Sequence, residues 1–115
     1  FYSIGFENRL KGKVYVIIGD KTYSSGIIFS TLVSDNKIAT LIGETLTNAH
    51  PNHFGELIAF KTPNTELDFQ FSTSSAVRPD ATKPNQLIPD LEIDLTNKKI
   101  EDIISFVENH SLQKK

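Results

Sequence analysis

Cysteine is absent from the 115 residues, which excludes disulfides, thiolate catalysis and thiolate zinc sites. Methionine is absent too, and the chain opens on Phe1. A natural full-length product begins with methionine. The chain is therefore expected to be one segment, residues 1–115, whose upstream part and any targeting sequence are missing. Long hydrophobic runs are lacking: nothing approaches the roughly 20 apolar residues needed to span a bilayer, so no membrane insertion by this segment is expected. Excess charge is lacking as well. A formal net charge of −2 gives no general attraction to nucleic acid or anionic lipid, and neither is expected as a partner. Glycine-rich phosphate loops, internal repeats and low-complexity tracts are missing, and no cofactor is expected. What remains is an ordinary globular composition, 38% hydrophobic and 23% charged, sufficient for one modest domain with one core.

Residues 14–18, Val-Tyr-Val-Ile-Ile, form a continuous apolar run closed by Gly19-Asp20. Such a run predicts a strand covered on both faces, as in a parallel sheet. Over 24–34, Ile27, Ile28, Phe29, Leu32 and Val33 fall at helical spacing, and Asp35-Asn36-Lys37 ends the helix. Ala39–Ile42 is a second buried strand, stopped by Gly43. Strand, helix and strand over some 30 residues make a βαβ unit, and the fold class is α/β. Residues 44–55 read as a polar loop. Residues 56–61 and the alternating Leu67, Phe69 and Phe71 predict a hairpin around Pro63-Asn64, its second strand half-buried. Residues 73–90 hold three prolines and read as irregular, and Leu91–Ile93 as a short edge strand. Ile100, Ile103, Ile104 and Val107 predict a terminal helix capped by Thr96 or Asn97, with residues 109–115 frayed.

Chemistry centres on "KTYSSGIIF", residues 21–29. A serine before an apolar helical run is a preferred N-cap, and Thr22, Ser24 and Ser25 all suit that role. The same place serves catalysis. A serine at a helix mouth after a parallel strand lies where free N–H groups and the helix dipole stabilise an oxyanion, and Gly26 lets a substrate backbone approach. The Gly-x-Ser-x-Gly elbow of α/β-hydrolases is absent. His50-Pro51-Asn52-His53 sets two imidazoles close together, but Pro51 denies them a helix and no third ligand of suitable spacing follows. A hydrogen-bonded loop is expected there, and no metal. Glu44 and Glu56 flank this loop, where either can orient a histidine or bind a substrate amine.

The stretch "GKVYVIIGDKTYSSGIIFSTLVSDNKIATLIGE" resembles the catalytic segment of the S41 peptidases, the C-terminal processing or tail-specific protease family. The order continues through "PNHFGE" at 51–56, "ELIAFKTPNTELDFQFSTS" and the Pro-Asp of "LIPDLEID" at 87–94. The resemblance implies the C-terminal portion of a ClpP/crotonase-like core, made of the βαβ unit, the hairpin and the terminal helix. It puts Ser24 on the nucleophile and the N–H of Ser25 in the oxyanion hole. The tail-specific branch takes a lysine base from a turn that here reads Thr45-Leu46-Thr47-Asn48-Ala49-His50, without lysine. The "PNHFGE" loop looks closer to the tricorn and retinoid-binding-protein-like branch, which draws a histidine from upstream. The base is then expected outside this chain, with His50 or His53 as the local alternative. Glu44, His53 and Glu56 are the candidate orienting or substrate-loop residues.

The function implied is a serine endopeptidase acting through an acyl-enzyme on a peptide or protein substrate, without cofactor or metal, in the cell envelope or outside the cell. The segment alone is expected to be inactive, and apolar surface left by missing strands would promote self-association. The competing readings are a non-catalytic peptide- or ligand-binding module of the same fold, and a structural domain in which Ser24 is only a cap.

Overall fold

The computed structural model describes residues 10–114. Strand β1 is Tyr15–Ile18, helix α1 Ser25–Asp35 and strand β2 Thr40–Gly43. The two strands run parallel in the register Tyr15↔Thr40 through Ile18↔Gly43, so the βαβ unit stands as its apolar pattern predicts. Strand β5, Leu91–Glu92, adds to β2 in parallel and closes the other edge, giving the sheet order β1-β2-β5.

The unbroken apolar runs have two faces to fill. Val16, Ile18 and Leu41 point to the α1 side, where the core gathers Ile27, Val33, Ala49 and Leu87. Tyr15, Ile17 and Ile42 point to the other side, where they share a groove with Ile100, Ile103, Ile104 and Val107 of helix α2, Ile100–Gln113. The Tyr15 hydroxyl is 3.1 Å from Ser111 Oγ, tying that helix to β1. Gly43 is required where β2 ends: at φ 133° a Cβ would lie 1.9 Å from the Ile18 carbonyl oxygen.

Three details differ from the sequence expectation. Helix α2 runs on through Gln113 instead of fraying from residue 109, because its last turns pack beside Tyr15. Its N-cap is Lys99, not Thr96 or Asn97: the Lys99 N–H donates to Asp102 Oδ2 at 2.8 Å, and Thr96 is engaged one turn earlier through its N–H to Asp94 Oδ1. The hairpin is also longer than its apolar alternation. Strands β3, His53–Lys61, and β4, Asp68–Ala76, pair antiparallel from His53↔Ala76 to Lys61↔Asp68. The added pairs match Phe54 and Gly55 with serines, and a backbone ladder needs no apolar side chain.

Nor is the hairpin's apolar face half-buried against the core, as expected. Phe60 stacks on Phe69 and Phe71 at centroid distances of 5.5 and 4.9 Å, an aromatic layer made within the hairpin. Among the described residues, no member of the buried core cluster comes from β3 or β4. No helix among them is long and apolar enough to cross a membrane.

The segment after β4 is irregular but anchored. Arg78, its side chain 4% exposed, reaches the fully buried carboxylate of Asp35 at the end of α1. Nη2 donates to Oδ1 at 2.7 Å and Nε to Oδ2 at 3.1 Å, a two-point fork. Lys83 Nζ and the Asp80 N–H join the same carboxylate at 3.1 Å. Nη1 donates to the Pro84 and Gln86 carbonyls. The Arg78 hydrogen bond, and then the Asp80 and Lys83 contacts, hold the Asp35 carboxyl well below the usual range against the opposing effect of burial.

Breaking a buried pair leaves an uncompensated charge, so Arg78→Ala should cost about 3 kcal/mol in denaturant unfolding, with Lys83 limiting the loss. Arg78→Lys should rescue it only in part, since an ammonium cannot form the fork. The depressed Asp35 value fixes the sign of the pH dependence. The stabilisation is complete above the unfolded carboxyl value near pH ~4 and drains as pH falls further. Acid titration of stability should be shallower in Asp35→Asn than in the wild type.

Candidate active site

β1 ends at Ile18, and the chain turns through Gly19–Ser24 into α1. Thr22 closes this turn: its N–H donates to the Gly19 carbonyl at 2.8 Å, and its hydroxyl accepts the Gly19 N–H at 3.0 Å. Thr22 therefore belongs to the turn and not to a helix cap. Ser24 is the N-cap residue, with φ 50° and ψ −120°, a conformation sparsely populated by any residue bearing a Cβ. Its carbonyl accepts the N–H groups of Ile27 and Ile28. Its hydroxyl makes no capping hydrogen bond. Pattern alone favoured a cap at Ser24, and the resemblance let capping and catalysis coexist there; the side chain does not cap, and the residue is exposed. Gly26 N–H is taken by the Tyr23 carbonyl, whereas no acceptor among the described residues takes the Ser25 N–H.

Ser24 sits where two clefts meet. One, of about 580 Å³, is lined by Ser24, Ile27, Ile28, His50, His53 and Glu56 among others. The other, of about 510 Å³, runs along Lys21, Tyr23, Ser25, Gly26 and Phe29. The structure thus brings Ser24 together with His53 and Glu56 from the far side of the sequence, and with Ser25 across the ridge. Both clefts open at the carboxyl end of the parallel strands, the usual location of ligands in an open α/β sheet.

The two imidazoles are each held from one side. His53 Nδ1 lies 3.1 Å from the Pro51 carbonyl and His50 Nδ1 3.1 Å from the Asn85 carbonyl. A carbonyl only accepts, so these bonds assign the proton to Nδ1 and leave the Nε2 lone pair available. The intervening chain is pinned: Asn52 N–H donates to Asn85 Oδ1, and Asn52 Oδ1 accepts the Arg78 N–H, both at 2.6 Å. Among the described residues no group of three His, Asp or Glu side chains gathers as a metal would require.

Glu44 is not in either cleft. Its Oε1 accepts the Leu95 N–H at 2.9 Å, which joins the end of β2 to the chain leaving β5. Asp90, in the Pro-Asp stretch, is likewise tied to the sheet: Oδ2 accepts the Leu41 N–H at 2.8 Å, and its own N–H donates to the Leu41 carbonyl. Glu56 does line the cleft, exposed and at φ 52°, opposite Thr73, whose hydroxyl donates to the Glu56 carbonyl at 2.8 Å. Sequence reasoning missed Asn52, Asn85 and Arg78, which fix the histidine loop. Their partners lie 26 or more residues away, and only the unusual density of asparagine around Pro51 hinted at them.

Compared with known proteins, residues 3–93 match the family model for peptidase family S41. No curated protein and no solved structure matches the chain.

Because the Ser24 hydroxyl caps nothing, Ser24→Ala should change the melting free energy by less than about 0.5 kcal/mol, against about 1 kcal/mol for loss of a true cap. Ser24→Gly should stabilise by about 1 kcal/mol, since glycine adopts a positive φ without a Cβ penalty. Thermal unfolding of the two variants beside the wild type measures both.

Proposed function

The chain belongs to peptidase family S41, and we propose that within it Ser24 is the nucleophile of peptide-bond hydrolysis through an acyl-enzyme. The observation that carries this reading is the state of Ser24. It is an exposed hydroxyl at the carboxyl end of a parallel strand and the first turn of a helix, held at positive φ and free of any capping bond. A strained conformation persists only where its surroundings impose it, and such positions cluster where chemistry needs a side chain presented. Two neighbouring features support this reading. The Ser25 N–H, at the positive end of α1, would donate to the carbonyl oxygen as it becomes an oxyanion. The adjoining clefts would receive the peptide on either side of the scissile bond, and their apolar lining, Ile27, Ile28 and Phe29, would hold side chains of the substrate.

A serine hydroxyl needs a proton acceptor to attack at neutral pH. The family resemblance puts that acceptor outside the chain. Glu44, bonded to Leu95 N–H, serves as a strut in this reading, and Glu56 borders the substrate cleft.

The test uses the longest native chain that contains this sequence, treated with a serine-directed phosphonate and assayed on a peptide library. Labelling at Ser24, and loss of turnover by at least about 10³-fold in folded Ser24→Ala, are the expected results. A wild type that neither labels nor turns over peptide would instead make the fold a binding module for peptides or small apolar ligands.

A further inference from the structure

We propose that His53 takes the Ser24 proton, so that the general base lies within this chain and not upstream of it. The inference rests on the reading of Ser24 as nucleophile. His53 lines the same cleft as Ser24. Its Nδ1–H is directed to the Pro51 carbonyl, which fixes the ring and the tautomer as an orienting carboxylate does in other serine hydrolases. That explains why no carboxylate need be found for it. Its Nε2 has no hydrogen-bond partner among the described residues and is the atom left to accept a proton.

The position is also the rigid one of the pair. His53 is the first residue of β3, laddered to Ala76, and it follows Asn52, which is bonded through its N–H to Asn85 and through its side chain to Arg78. His50 is exposed by comparison. The titratable or charged groups around His53 are His50 and Glu56 in the cleft wall, Lys21 and Tyr23 beyond Ser24, and Arg78, which is committed to Asp35. No hydrogen bond joins Ser24 to His53; catalytic bonds of this type are often long without substrate and tighten when it binds.

The steps balance without any further reactant than water. Ser24 Oγ bonds to the peptide carbonyl carbon as its proton passes to His53 Nε2, and the carbonyl electron pair moves to oxygen, facing the Ser25 N–H. The intermediate collapses, the C–N bond breaks, and the amine leaves with the proton from Nε2. Water then gives a proton to Nε2 as it attacks the ester, and Ser24 leaves with that proton.

The experiment is peptide turnover and phosphonate labelling across pH, in the longest native chain containing this sequence, for wild type, Ser24→Ala, His50→Ala, His53→Ala and His53→Asn. Asparagine keeps a donor for the Pro51 carbonyl but cannot act as a base, so it separates folding from proton transfer. Expected for His53→Ala and His53→Asn is a fall in kcat of about 10²-fold or more with KM within a few-fold. The ascending limb of kcat/KM in the imidazole range, roughly pH 5–8, should vanish in both and persist in His50→Ala. Added imidazole should restore part of the His53→Ala turnover. Wild-type kcat and an unchanged limb in folded His53→Asn, beside an inactive Ser24→Ala, would overturn the proposal and return the base to the upstream chain. Full turnover in Ser24→Ala would sink the nucleophile assignment itself, a separate result.

Discussion

The Asp35 carboxylate, buried and gripped by the Arg78 fork, ties together the elements that carry Ser24 and His53. Asp35 terminates the helix that begins at Ser24, and Arg78 follows the strand that pairs with His53. One ion pair therefore sets the distance between two elements that have no ladder in common. It also anchors the irregular segment, because Arg78 Nη1 donates to the Pro84 and Gln86 carbonyls. A buried ion pair is weak evidence for net stability when measured against a hydrophobic replacement. Its contribution here is geometric: five donors in a rigid plane can satisfy a carboxylate and two carbonyls at once, which no apolar contact would specify.

The βαβ unit was legible in the sequence because each of its elements is decided locally. A strand covered on both faces reads as a nearly continuous apolar run, as Val14–Ile18 and, but for Thr40, Ala39–Ile42 do. The helix between them shows its period in Ile27, Ile28, Leu32 and Val33, but the wide buried face that this spacing predicts is not what packs: Ile28, Phe29 and Leu32 are exposed, and Ser30 and Thr31 are buried beside Val33. The hairpin was half legible for the converse reason. Where Phe69 and Phe71 alternate with polar residues the pattern shows, but Ser72 to Ser75 put only small polar side chains on the ladder, some of them bonded to β3 carbonyls, and leave no apolar period. The expected burial of that hairpin failed because alternation reveals a shared face without revealing what covers it. Phe60, Phe69 and Phe71 cover one another.

In the candidate site, the position of Ser24 was legible and its state was not. Sequence places a serine at a helix mouth, and the capping preference of serine made that the simplest role. Whether the hydroxyl bonds back to the helix depends on backbone angles set by the Gly19–Thr22 turn, which composition does not encode. Glu44 and Glu56 looked alike as carboxylates flanking a loop. One became a strut to Leu95 and the other a cleft border, a difference decided by residues some 50 positions away. Asp35 read only as part of a helix stop and Arg78 drew no reading at all, because the partners lie 43 residues apart and only the fold sets them side by side.

These long-range contacts bear on where stability and chemistry meet. Ser24 is held at an unfavourable φ, and strain of that kind, of order 1–3 kcal/mol, persists only if neighbouring structure imposes it. The near side is imposed by the Thr22 turn, whose two hydrogen bonds to Gly19 are local and cheap in entropy. The far wall is imposed at longer range: Asp35 fixes Arg78, the Arg78 N–H fixes Asn52, and Asn52 precedes His53. The two walls thus differ in kind. Weakening the ion pair would leave the Ser24 turn intact while loosening the loop that faces it, so the presentation of Ser24 and the placement of His53 rest on separable supports. In a site divided this way, loss of the ion pair, as in Arg78→Ala, would loosen the loop that carries His53 while the turn that presents Ser24 stays in place.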